Sequence, residues 1–88
     1  MAQASFRVGG RVQGVGFRAW TRDQAVALGL DGHAFNLPGG DVDVVVAGEA
    51  AAIDALAARL LHGPALARVD RLDRQAHDAP VAPGFLTG

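Results

Sequence analysis

The sequence predicts an α/β sandwich in which one antiparallel sheet carries two helices on a single face. Short apolar alternations and two longer stretches of helical spacing follow one another as strand, helix, strand, strand, helix, strand. Leu37-Pro38-Gly39-Gly40 supplies hairpin turn chemistry between the two middle strands. The 88 residues, half of them hydrophobic, suffice for one modest core, so residues 1–88 are expected to form a single domain.

The first strand rests on Phe6, Val8, Gly10 and Val12, which alternate with Arg7, Gly9 and Arg11 and so build one apolar face. Phe17 to Leu28 is rich in helix formers, places Phe17, Ala25 and Leu28 near helical spacing, and stops at Gly29. Gly32 to Asn36 is the second strand, and the Leu37–Gly40 turn leads into its antiparallel partner, Val42-Asp43-Val44-Val45-Val46. In the second helix, Glu49 to Leu61, residues Ile53, Leu56, Ala57, Leu60 and Leu61 share one side, and Gly63-Pro64 ends it. Ala67 to Arg74 is the fourth strand, although Val69 and Leu72 alternate imperfectly. From Gln75 to Pro83 the chain is polar, and Gly84-Phe85-Leu86-Thr87 is expected to add a short edge strand. The order βαββαβ is that of a ferredoxin-like sandwich, whose architecture hosts many unrelated functions.

Composition narrows those functions. The net charge is −1, and the eight arginines form no basic stripe, so no nucleic-acid partner is expected. Without cysteine there is no disulfide, thiolate nucleophile or Cys-ligated metal. His33, His62 and His77 lack metal-ligand spacing and are expected to be surface or structural residues, and Trp20 to serve packing. No metal and no cofactor are expected. Met1 to Arg7 lacks the apolar segment of a signal peptide, and no run of about 18 apolar residues occurs, so the expected location is the cytoplasm, without a membrane partner.

Gly10-Arg11-Val12-Gln13-Gly14-Val15-Gly16-Phe17-Arg18 places three glycines and a fixed cation between a strand and a helix. Glycines let successive backbone N–H groups turn toward one point, and the free N–H groups opening a helix add partial positive charge there. Arg18 in the first turn opposes the helix dipole unless an anion joins the two. Gly14 to Ala19 also fits the loose G-x-G-x-x-A dinucleotide pattern, but Asn36 stands where a ribose-binding acid belongs and the chain is too short for two mononucleotide halves. A Walker loop is excluded because the chain has no lysine.

The same run, followed by Gly29-Leu30, Gly32 and Asn36, then Gly48 and Gly63-Pro64 with Ala67 and Val69, closely resembles the acylphosphatases. The resemblance fades after Gln75. It implies hydrolysis of the carboxyl-phosphate bond of small acyl phosphates to carboxylate and inorganic phosphate. Arg18 and the backbone N–H groups of Gln13, Gly14, Val15, Gly16, Phe17 and Arg18 would hold the phosphate, and Asn36 would orient the attacking water. Such a sparse site suits the chemistry, because the leaving carboxylate has a conjugate acid of pKa about 4 and needs no protonation. The resemblance also implies a monomer with a small acyl phosphate as substrate and phosphate as product or inhibitor. One departure is His33-Ala34-Phe35, where the family commonly has an aromatic residue, a Val and a basic residue; weaker attraction for substrate is expected at position 35. The alternatives are a non-catalytic module that binds acyl or carbamoyl phosphate and a structural interaction domain.

Overall fold

A computed structural model describes residues 1–88. The elements are β1 (Ala2–Arg11), α1 (Phe17–Ala27), β2 (Asp31–Asn36), β3 (Val42–Gly48), α2 (Ala50–His62), β4 (Arg68–Ala76) and β5 (Phe85–Thr87), with the strands ordered β4-β1-β3-β2-β5. The expected βαββαβ sandwich is present. β1 begins earlier than the strong alternation indicates, because the small residues Ala2 and Ala4 continue its core face opposite Gly48 and Val46 of β3.

One face of the sheet is apolar. Ala4, Phe6 and Val8, Ala34, and Val42, Val44 and Val46 meet Phe17, Ala25, Ile53, Leu56 and Leu60 from the helices in a continuous buried cluster. Helix α1 lies over β2 and β5, and α2 over β4, β1 and β3. Fully burying a large aliphatic or aromatic side chain stabilises the fold by about 1.5–3 kcal/mol. No helix is long and apolar enough to cross a membrane.

A bulge explains the imperfect alternation of the fourth strand. Gly9 pairs with Arg71 but Gly10 pairs with Val69, so Asp70 is the extra residue. Val69 and Leu72, three apart, would point to opposite faces of a regular strand; the bulge lets both pack against the core. Gly10 is required here: its φ is 121°, and a Cβ would lie 2.2 Å from the Arg68 carbonyl oxygen. The first glycine of the motif therefore serves strand packing and not the anion loop.

The sheet is mixed, which corrects the expectation of a purely antiparallel one. β5 runs parallel to β2, pairing Gly32 with Phe85, His33 with Leu86 and Ala34 with Thr87. Direction follows from topology. β4 is antiparallel to β1, so the chain leaves β4 at the end of the sheet where β2 starts, and residues 77–84 carry it across to the open edge. A strand beginning there must run with β2. The crossing passes the outer face, where Pro80, Val81 and Ala82 lie near Val45, and Val45 is buried on that face.

Candidate active site

The segment between β1 and α1 is pinned by apolar side chains. Val12 and Phe17 are buried, and Val15 packs partly against the core. Gly14 (φ 75°) and Gly16 (φ 77°) alternate with these anchors in left-handed backbone. A Cβ at either position would meet no atom within 4 Å, so what demands glycine is conformation and not crowding. Gly16 caps α1 without a side-chain hydrogen bond, and the first helical bond runs from the Trp20 N–H to the Gly16 carbonyl at 3.0 Å. The N–H groups of Phe17, Arg18 and Ala19 precede it and have no intrahelical partner.

Arg18 stands out among the arginines. Arg7, Arg22, Arg68, Arg71 and Arg74 each pair with an aspartate, and Arg59 donates to Gln24. Arg11 and Arg18 do neither; Arg11 is exposed, whereas Arg18 is half-buried. Arg18, Gly14, Gly16, Phe17, Ala19, Val12 and Thr87 line a cavity of about 180 Å³. That is smaller than pockets for drug-sized ligands, which start at about 300 Å³. A guanidinium and a row of N–H groups around a small opening can bind a tetrahedral anion.

Asn36 does not line this cavity. It ends β2 with an exposed side chain, and its backbone N–H donates to the Gly88 carbonyl at 2.9 Å. Ala34 and Thr87 are cross-strand partners and so share a face, and Asn36, two residues beyond Ala34, points to that face as well. The Asn36 side chain is thus on the same sheet face as Thr87, which lines the cavity. Gln13 is turned away from the cavity: its Nε2 donates to the carbonyls of Leu37 and Asp41, both at 3.0 Å. His33 and Phe35 occupy the opposite face, stacked with centroids 4.2 Å apart, with His33 Nε2 3.7 Å from Asp43. Trp20 packs against Phe17 with centroids 5.6 Å apart.

Thr87 was not among the residues singled out from the sequence. Nothing local marks it, because its place in the cavity wall depends on which sheet edge the last strand joins. A larger cavity of about 660 Å³ on the outer face includes Ser5, Arg7, Asp43, Asp73 and Gln75. There Arg7 lies 3.4 Å from Asp41 and Asp73 lies 3.2 Å from Arg71, so two of its charges are already paired within the protein. We therefore place the candidate site at Arg18. No three His, Asp or Glu side chains converge anywhere to hold a metal ion.

The family model for acylphosphatase matches residues 4–85. The chain is 53% identical over 88 residues to an acylphosphatase of Xanthomonas euvesicatoria pv. vesicatoria, covering 100% of both chains. Among solved structures, an acylphosphatase from Coxiella burnetii superposes with a TM-score of 0.93 at 33% identity, over 99% of this chain and 92% of that one. Full-length HypF in its phosphate- and nucleotide-bound form superposes with a TM-score of 0.91 at 25% identity, over 99% of this chain but 12% of that one.

Proposed function

The chain belongs to the acylphosphatase family and hydrolyses acyl phosphates; from that premise, we propose that Arg18 and the backbone N–H groups of residues 13–18 hold the phosphoryl group while Asn36 orients the attacking water. The observation that carries this reading is the half-buried Arg18, its side chain free of any protein carboxylate, at a small cavity edged by left-handed glycines and an uncapped helix N-terminus. Arg binds two phosphoryl oxygens with its planar fork, which a lysine cannot reproduce.

The reaction needs little else. Water oxygen bonds to phosphorus as the bond from phosphorus to the acyl oxygen breaks. The electron pair leaves with the carboxylate, and the water proton passes to the phosphate oxygens. The leaving group requires no general acid, so catalysis rests on positioning and on charge stabilisation by Arg18 and the N–H groups. Asn36 donates and accepts hydrogen bonds without taking a proton. On this reading the reaction is metal-free, since no step needs a Lewis acid, and inorganic phosphate competes with substrate. The core shared by both helices supports a single domain; action as a monomer and a cytoplasmic location complete the proposal.

Benzoyl phosphate hydrolysis in EDTA tests the reading, with folding of each variant checked by circular dichroism. Arg18→Ala is expected to lower kcat/KM by about 10³ or more, as in other arginine-assisted phosphoryl transfers. Asn36→Ala is expected to lower kcat by about 10²–10³ with little change in phosphate inhibition. Wild-type turnover that requires added metal would overturn the metal-free reading, and unchanged kinetics in either variant would remove that residue's role. Light scattering checks the monomer.

A further inference from the structure

The geometry points to Gln13 as a positioning residue that aligns Asn36 with the phosphate loop through the turn following β2. This inference rests on the roles assigned above to Arg18 and Asn36. Gln13 sits immediately before Gly14, yet its side chain reaches 24 and 28 residues along the chain to the carbonyls of Leu37 and Asp41. Those two carbonyls also close the turn itself. The Leu37 N–H donates to the Asp41 carbonyl at 2.8 Å, and the Gly40 N–H to the Leu37 carbonyl at 3.3 Å. One amide nitrogen therefore bridges both ends of the turn. Because both partners are acceptors, chemistry alone settles which end of the amide faces them.

Position gives the bridge its consequence. Leu37 is bonded directly to Asn36, so the Leu37 carbonyl lies a single residue from the group assigned to hold water. Gly39 (φ 95°) and Gly40 (φ 107°) make the rest of the turn conformationally permissive, and a Cβ on either would meet nothing within 4 Å. The Asp41 carboxylate is held from the outer face by Arg7 and Arg71, and the Gln13 amide holds the same residue's carbonyl. Gln13 thereby ties the turn that follows Asn36 to the phosphate loop, with Arg18 at the other end of the loop. The family resemblance counted Gln13 as a phosphate ligand through its backbone; its side chain has this separate task.

The test grades the donors at position 13. Gln13→Met keeps length and removes both hydrogen bonds. Gln13→His carries an Nε2–H at a similar distance from Cα and can donate to one carbonyl. Wild type, both variants and Asn36→Ala are compared for benzoyl phosphate kcat and KM, inorganic phosphate Ki and Tm at pH 8. Expected is a kcat that falls about tenfold in Gln13→Met and less in Gln13→His, with KM and Ki within about twofold of wild type, the split of a misplaced reacting group with binding intact. A lower Tm with unchanged kcat would reduce Gln13 to a structural brace, and a loss carried by KM and Ki would make it part of phosphate binding; either result overturns the inference while Asn36→Ala remains impaired. If Asn36→Ala itself keeps full kcat, the water-positioning role fails first, and the inference falls with it.

Discussion

The N-termini of α1 and α2 are equivalent features in the two halves of the sandwich, each reached from a central strand and each without a side-chain hydrogen bond at its cap. They differ in what meets the exposed N–H groups. Glu49 alone separates β3 from α2, in extended backbone (φ −71°, ψ 141°), and as cap it brings a carboxylate to the positive end of the helix. Five residues separate β1 from α1. Its cap Gly16 is left-handed, no acid lies in the first turn, and Arg18 adds positive charge. One helix start carries its own anion in the chain; the other is left for a ligand. On the proposed reading, an anion site is made here by withholding the usual acid and adding a cation.

The largest effect expected on this contrast is that of Arg18→Ala, the loss of about 10³ or more in kcat/KM described above. Next comes Ala19→Glu, which gives α1 the acid it lacks. Ala19 is exposed and lines the cavity, so the carboxylate should compete with phosphate and raise its Ki by about tenfold, with Tm held or raised by the favourable dipole interaction. Unchanged Ki would break the assignment of this helix end as the anion site. Glu49→Gln strips α2 of its cap charge. A Tm lower by about 2–4 °C at low salt, an effect that fades with added salt, is expected, with unchanged kcat/KM. Phe35→Arg sets the floor: position 35 faces the opposite side of the sheet from the cavity, and KM for benzoyl phosphate should move less than about twofold. A larger gain would show that the missing basic residue matters through long-range attraction.

Most of the fold was legible because periodicity reports which face of a strand or helix is buried. Val42, Val44 and Val46, and Ile53, Leu56 and Leu60, all lie in the core, as their spacing indicates, whereas Leu61, expected on the same side of the second helix, is exposed. The bulge at Asp70 was visible only as a flaw in alternation, since a bulge needs a partner strand to define it. At the site, Gly14, Gly16 and Arg18 could be read directly from residue chemistry, whereas Asn36 was identified through family resemblance. The side-chain partners of Gln13 could not be read at all. An amide can donate to any carbonyl within reach, and nothing in a sequence says which carbonyls those are.

The order of the elements, the left-handed turns available to Gly14 and Gly16, and a cation at the start of α1 follow from local chemistry, because backbone sterics and side-chain charge belong to each residue and its neighbours. Tertiary structure alone decided that β5 joins β2 in parallel, that Thr87 walls the cavity, and that Gln13 clamps the turn after Asn36. Each of these depends on which sheet edges and carbonyls come within reach once the rest of the chain has packed. Hydrogen-bond capacity is written residue by residue, but its partners are chosen by the whole fold.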